Sequence, residues 1–367
     1  MQKKRAPDLL LLIICGVLIF MGVLILASVS SSFSLERTGK SFYFLSHQLL
    51  FGLLPGILLG LVAFFTPLSF FKKWSFAFLL LTIILLVLVF IPGIGEERGG
   101  ALRWIYIGSF SFQPSEPLKL TFILYMASLL AARASSAKKG SFKQTLVPFA
   151  AVMGMVSLLL IFQPDVGTLF VIAATGLTMY FLAGTPLWHT FALTGFGLAS
   201  LAFLVFIESY RLNRLLVFFN PSFDPLGKGY QAKQALIGIG SGGLAGAGLG
   251  LSFQKFGMLP EPMADSIFAV FAEETGFIGS CFLVLLFAAF AWRVFVIVKR
   301  VPDRFASLAA SGIGVWIFLQ AAVNIEAMLG LIPLTGIPLP FISYGGSALV
   351  SELIAMGILL NISKQAA

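Results

Sequence analysis

The sequence predicts an all-α integral membrane protein, and three observations predict it: an apolar composition, recurring apolar runs about twenty residues long, and an uneven distribution of basic residues among the connections. Hydrophobic residues make up 59% of the 367 residues and charged residues 11%, against the roughly 25% charged residues usual in soluble domains. A hydrocarbon layer about 30 Å thick takes about 20 apolar residues in a helix. Runs of that size recur along nearly the whole chain, so it reads as a single polytopic membrane domain over residues 1–367.

Taken in order, the runs predict ten spans at about 9–29, 48–66, 74–91, 116–133, 145–162, 167–184, 187–207, 267–298, 305–331 and 344–362. The first run follows MQKKR as a signal peptide would, but it continues to Ala27, and SVSSSFSLERTGK is a weak cleavage context. It is read as a span. With a cytoplasmic N-terminus, the same side receives Lys3, Lys4, Arg5, Lys72, Lys73, Arg133, Lys138, Lys139, Lys143, Arg293, Lys299, Arg300, Arg304 and Lys364. That satisfies the positive-inside rule and puts the C-terminus in the cytoplasm as well. Of the 15 acidic residues, only Asp8 and Asp303 join them. The net charge of +9 is therefore topogenic and directed at membrane lipids, and it does not argue for nucleic acid. Cys15 and Cys281 both lie in apolar runs, which suggests packing rather than a disulfide framework or a thiolate metal site.

Cytoplasmic connections are short and basic, as in FFKKW and SSAKKGSFK, whereas the outer side carries the long segments. These are residues 92–115, the loop 208–266 between spans seven and eight, and GLIPLTGIPLPFISYGGS before the last span. Non-helical backbone at membrane depth is tolerated only inside protein or around a wet cavity, so these segments are expected to roof or line one. In the long loop, Gly238, Gly240 and Gly243 match GxGxxG, but no strand precedes them and no nucleotide is expected outside the cytoplasm. They read instead as glycines that let a re-entrant or interfacial segment bend and pack closely.

Asp265 stands directly before span eight, where a helix cap and a functional base are both open readings. Arg211, Arg214, Lys233 and Lys255 share its loop and suit an anionic headgroup. Arg103 lies beside Trp104 at the interface. Glu116 and Lys119 fall three apart on one helical face, as a structural pair or as cavity groups. Asp165 in FQPDVG stands where span six begins, in a capping position. Glu326 and Glu352 lie in the outer halves of spans nine and ten and are expected to face protein or water. His47 and His189 sit near opposite faces, with no cluster that suggests zinc.

Six ordered segments, GALRWIYIGSFSFQPSEPLKL, PDVGT, DPLGKGYQ, ALIGIGSGGLAGAGLG, DSIFAVFAEETGFIG and LTGIPLPFISYGGS, closely resemble the SEDS family of bacterial membrane proteins (shape, elongation, division and sporulation), over essentially the whole chain. GLGLSFQKFGMLPEP is more like the division branch, FtsW, than the elongation branch, RodA. The resemblance implies a GT-C-like enzyme of ten helices in the bacterial plasma membrane, concentrated at the division septum, that polymerises lipid II into glycan strands with inversion from α to β. It places the general base at Asp265 and substrate contacts at Arg103, Glu116, Lys119, Asp165, Arg211, Arg214 and Lys255. A divalent cation, Mg or Mn, would assist the leaving diphosphate, and no nucleotide cofactor is required. Implied partners are lipid II, the growing glycan strand, a class B penicillin-binding protein (an FtsI-like transpeptidase), other divisome proteins and membrane lipids. The chain departs from the family pattern at Met263 and Ala264, where His-Thr is usual, at Ser266, where Phe is usual, and at Glu326 and Glu352, where small or apolar residues are common. These departures keep a non-catalytic divisome scaffold open, and the broken Gly/Pro-rich segments with intramembrane acids keep a lipid II flippase open.

Overall fold

The computed structural model describes residues 6–98, 101–107, 110–134 and 142–366. Lys3, Lys4, Arg5, Lys138 and Lys139 of the charge argument, and Gly99, Gly100, Gly108 and Ser109 of the first outer segment, lie outside the described residues.

Each predicted span is occupied by a helix. The helices are α1 (Leu9–Thr38), α2 (Tyr43–Gln48) continuing through a π turn into α3 (Leu54–Phe65), α4 (Leu68–Leu88), α5 (Ser115–Ala134), α6 (Val147–Phe162), α7 (Val166–Leu182), α8 (Leu187–Ile207), α9 (Ser209–Phe219), α10 (Lys228–Ser241), α11 (Ile267–Arg300), α12 (Arg304–Met328) and α13 (Gly346–Ser363). Among the described residues, eight helical stretches are long and apolar enough to cross a membrane. α7, at 17 residues, is shorter, and α5 carries Glu116, Lys119 and Arg133. α1 runs about two turns past its apolar stretch and ends at Gly39, which supplies the left-handed cap at φ 70°.

At the N-terminal face, Asp8 joins three elements. Its carboxylate caps α1 through the Leu11 amide at 2.9 Å and pairs with Arg293 of α11 at 2.6 Å. Its amide donates to Ser363 of α13 at 2.9 Å. Asp8 and Ser363 therefore lie at one face, and the start of α11 lies at the opposite one.

α3 and α13 pack in close backbone contact. Gly52 of the π turn and Gly56 and Gly60 of α3 repeat every four residues, which brings the two backbones together as small-xxx-small faces do. A Cβ on Gly60 would sit 2.7 Å from the Leu353 carbonyl oxygen, and a Cβ on Gly357 would collide with the Gly60 carbonyl. Gly357→Val is expected to cost on the order of 1–3 kcal/mol through overpacking. The check is a lowered unfolding temperature in detergent, with Gly16→Val as the control, because a Cβ at Gly16 meets nothing within 4 Å.

α11 is broken at Gly276, where φ 67° and ψ −163° leave the helical region. The glycine-rich segment after α10 occupies the break. The Ala247 and Gly248 amides donate to the Glu273 and Glu274 carbonyls at 2.9 and 3.0 Å, and the Phe277 and Ile278 amides donate to the Gly243 and Leu244 carbonyls at 2.9 and 3.1 Å. Backbone groups freed by the kink are thus satisfied by the loop. Gly246 is required at this crossing: it lies at φ 82° and a Cβ there would meet the Glu274 carbonyl. The loop therefore dips alongside α11, and two of the GxGxxG glycines, Gly238 and Gly240, belong to α10.

The opposite face also carries three antiparallel strands, β1 (Gly95–Arg98), β2 (Ala101–Ile107) and β3 (Phe110–Phe112), in the order β1-β2-β3. Gly95 pairs with Ile105, and Ile105 with Phe112. The alternation of β2 is visible in burial: Ala101 and Ile105 are buried while Leu102 and Tyr106 are exposed. This small sheet is an addition to the all-helical expectation.

Candidate active site

Asp265 lies at the face opposite the N-terminus, immediately before α11, and is 7% exposed. It is not the helix cap. Ser266 occupies that position, without a side-chain capping bond. Oδ2 of Asp265 accepts from Gln231 Nε2 at 3.4 Å, and that amide also donates to Ser266 Oγ at 2.9 Å. Gln231 Oε1 accepts from Lys228 Nζ at 2.8 Å. Oδ1 of Asp265 is buried and has no hydrogen-bond partner among the described residues.

The backbone under this carboxylate is held at three consecutive residues. The Met263 carbonyl accepts from the Tyr344 amide at 2.8 Å, the Ala264 carbonyl from Ser343 Oγ at 2.6 Å, and the Asp265 carbonyl from Asn324 Nδ2 at 2.8 Å. This anchoring does not depend on the Met263 and Ala264 side chains, because it uses main-chain oxygens. Asn324 also donates to the Ile337 carbonyl at 2.7 Å, and its Oδ1 is unpartnered among the described residues.

Residues 334–338 wrap the site. The Leu334 and Thr335 carbonyls accept from Arg214 Nη1 at 3.2 and 3.3 Å. Gly336, at φ 74°, passes so close that a Cβ would lie 3.8 Å from Asp265 Oδ2. The Pro338 carbonyl accepts from Gln320 Nε2 at 3.0 Å. Gln320 and Asn324 are one turn apart on α12, so this strap carries the site from Asp265 toward the interior. There Gln320 Oε1 accepts from Lys119 Nζ at 2.8 Å, and Lys119 pairs with Glu116 at 2.8 Å with both side chains buried. Trp316 donates to the same Gln320 oxygen at 2.8 Å.

A cavity of about 70 Å³ opens beside this strap, lined by Arg214 and Val217 of α9, Lys228 and Leu236 of α10, and Pro333. Its wall is apolar and its cations come from two helices. Burial pushes the Asp265 carboxyl above its ordinary range. The Lys228 ammonium pulls it back down and Glu261 adds to the rise. Burial likewise lowers the Lys228 ammonium, opposed by the Asp265 charge.

The structure brings Asp265, Arg214, Glu116 and Lys119 into one connected region, and Arg103, Asp165, Arg211 and Lys255 have structural partners of their own. Arg103 Nε donates to the Gln163 carbonyl at 2.9 Å, and its guanidinium also reaches the Pro164 carbonyl, fixing β2 to the turn between α6 and α7. Asp165 caps α7 through the Thr168 amide at 3.3 Å and accepts from Ser115 at 3.3 Å. Arg211 donates to the Leu204 carbonyl at 3.0 Å, holding α9 to the end of α8. Lys255 is held beside the break in α11. It pairs with Glu274 at 3.2 Å, donates to the Gly250 carbonyl at 2.6 Å, and lies near Ser28 of α1 at 3.3 Å. Glu274 is nine residues beyond Asp265, roughly 13 Å along the helix axis at the usual rise. Its neighbour Glu273 accepts from the Phe253 and Gln254 amides at 3.1 and 3.2 Å, so both carboxylates fasten the loop into the break.

A buried pair broken on one side leaves an uncompensated charge, so Lys255→Ala is expected to destabilise the fold by about 3–5 kcal/mol. Lys255→Met with Glu274→Gln is expected to recover most of that loss. Thermal unfolding of the three proteins in detergent measures it.

Lys228, Gln231, Asn324 and Ser343 received no role from the sequence. A signal for the first two was present: they are three apart in DPLGKGYQ and share a face of α10. Glu326 is exposed, whereas Glu352 is buried, so the two unusual carboxylates do not converge. Among the described residues no group of three or more His, Cys, Asp or Glu side chains is placed to hold a metal. The described residues by themselves thus offer no cage for a divalent cation.

A bundle of membrane helices in which a buried, half-satisfied Asp265 carboxylate lies beside the cations Arg214 and Lys228 defines a polytopic membrane protein with a polar site at one face. The chain belongs to the FtsW/RodA/SpoVE family of cell cycle proteins, whose family model matches residues 8–367. It is 42% identical to the stage V sporulation protein E of Bacillus subtilis, over 99% of this chain and 98% of that protein. It is 41% identical to the probable peptidoglycan glycosyltransferase FtsW of Nitrosomonas europaea, over 97% of this chain and 93% of that one. Among solved structures it resembles a chain of a peptidoglycan synthase complex described as coordinating polymerization and crosslinking, with TM-score 0.79, 26% identity and 98% of each chain covered. It also resembles the rod shape determining protein RodA of Thermus thermophilus, with TM-score 0.73, 26% identity and 98% of each chain covered.

Proposed function

We propose that this chain is a peptidoglycan glycosyltransferase that polymerises lipid II at the outer face of the bacterial plasma membrane, at the division septum, with Asp265 as general base. The observation that carries the reading is the buried, unpartnered Oδ1 of Asp265. A buried acceptor left without a donor costs stability and persists where a ligand completes it, and an incoming sugar hydroxyl is such a donor. Family membership and the likeness to a probable peptidoglycan glycosyltransferase FtsW support the substrate class.

In the proposed reaction the 4-hydroxyl of the lipid II N-acetylglucosamine donates to Asp265 Oδ1. As its oxygen bonds to the anomeric carbon of the growing strand, its proton passes to Asp265 and the bond to undecaprenyl diphosphate breaks, inverting α to β. A carboxylate raised by burial is better matched to taking a hydroxyl proton than a solvated one. Lys228 and Arg214 line the adjoining cavity and are placed to meet the negative charge of the leaving diphosphate, while its apolar wall suits a polyprenyl chain. Mg²⁺ or Mn²⁺ at this site would draw most of its ligands from phosphate and water, as such sites commonly do. A class B penicillin-binding protein is the proposed partner, in keeping with the resemblance to a synthase complex that couples polymerization to crosslinking.

The experiment supplies lipid II to the purified protein, with and without its transpeptidase, and resolves the products by gel electrophoresis. Glycan polymer is expected. Absence of polymer under both conditions would favour a scaffold, and lipid II crossing liposomes without polymer would favour a flippase.

A further inference from the structure

Glu352 of α13 is a buried carboxylate for which the mechanism above has no use. Its Oε2 accepts from the Phe341 amide at 2.8 Å. Phe341 has φ 64°, in the left-handed region that a bulky residue enters only at a cost of about 1–3 kcal/mol and keeps only where its surroundings impose it. The ring of Phe341 is buried and a Cβ on Gly22 would clash with its carbonyl, so the turn is clamped from both sides. Two and three residues further along, Ser343 and Tyr344 hold the carbonyls of Ala264 and Met263. Ser343 Oγ also accepts from the Leu339 amide at 2.8 Å, closing the turn on itself.

We propose that Glu352 is a positioning residue for Asp265: by accepting the Phe341 amide it holds the strained turn that presents Ser343 and Tyr344 to the backbone under the base. The effect passes from α13 through the turn to Met263 and Ala264, and Glu352 touches no substrate. Here the anchoring of the base depends on main-chain oxygens and on a carboxylate two elements away. The inference rests on the reading of Asp265 as the base, but its structural content is independent of activity.

Three variants test it. Glu352→Met removes the acceptor at similar volume, Glu352→Gln keeps an acceptor oxygen without the charge, and Ser343→Ala breaks the link downstream while leaving Glu352 in place. Labelling of Asp265 by dicyclohexylcarbodiimide, which takes protonated carboxyls in apolar surroundings, is followed against pH by peptide mass spectrometry. Glu352→Met and Ser343→Ala are expected to release Asp265 toward water, so that labelling falls away at lower pH than in the wild type, whereas Glu352→Gln follows the wild-type curve. Polymerisation should fall at least about tenfold in the first two, mainly in kcat, because a shift of about 1 Å in a reacting group has costs of that size or larger. Wild-type labelling in Glu352→Met overturns the proposal. If Glu352→Met does not accumulate in the membrane, Ser343→Ala decides, and a wild-type curve there overturns it equally. Failure of the wild-type protein to make polymer would count against the functional reading alone, since the labelling curves still decide the positioning role.

Discussion

Asp265→Asn is expected to abolish glycan polymerisation while leaving the fold intact. General bases contribute on the order of 10²–10⁴ in rate, so polymer from lipid II should fall by at least about a hundredfold. The amide has nearly the same shape as the carboxylate, and the three bonds anchoring this stretch are made by main-chain carbonyls, which the substitution leaves in place. Removing a buried charge also removes its desolvation penalty, so the unfolding temperature should stay level or rise. That combination separates a catalytic role from a structural one, since a residue needed for packing would lose both stability and activity. Polymer at wild-type rate from a well-folded Asp265→Asn protein would remove Asp265 as the base, and the mechanism with it.

The helical framework was legible because a membrane span writes itself as about twenty apolar residues whatever its neighbours are. The pairing of Glu116 with Lys119 was legible for a local reason too: residues three apart on a helix meet, and the structure joins them at 2.8 Å. Lys255 shows where local reasoning stops. It reads as an outer cation near Asp265, but the glycine-rich loop descends beside α11 and delivers it to Glu274. That descent depends on the break at Gly276, and a single glycine inside an apolar helical run is ordinarily tolerated without one. The sheet was missed because β2 is seven residues long and lies in a segment whose Gly and Pro content resembles turns. Asn324 and Ser343 carried no sequence signal, since their role is to hold carbonyls far away in the chain, and only the fold reveals which ones. Asp265 itself could not be separated from a helix cap by position. The deciding facts are that Ser266 takes the cap and that Oδ1 has no hydrogen-bond partner among the described residues.

Lys228→Met is expected to move the acidic limb of the polymerisation profile to higher pH. The sign follows from the charges around Asp265. A base must be ionised to act, so activity rises with pH through the Asp265 transition, which burial already places above the ordinary carboxylate range. Lys228 favours the ionised form, and removing it lets burial act unopposed, so a larger share of the enzyme is protonated and idle at any pH on the limb. At the foot of the limb the rate should fall on the order of tenfold, as nearby charges of this kind allow. On the plateau the loss should be smaller unless Lys228 also meets the leaving diphosphate. Glu261 provides the opposite test. Its charge raises the Asp265 carboxyl, so Glu261→Gln should move the limb to lower pH, and Lys228→Arg should leave it close to the wild type. Opposite displacements from two substitutions flanking one carboxylate are difficult to produce by damage to the fold, which shifts both the same way. If Lys228→Met and Glu261→Gln leave the limb where it is, the limb belongs to another group and Asp265 is not the residue whose ionisation controls the reaction.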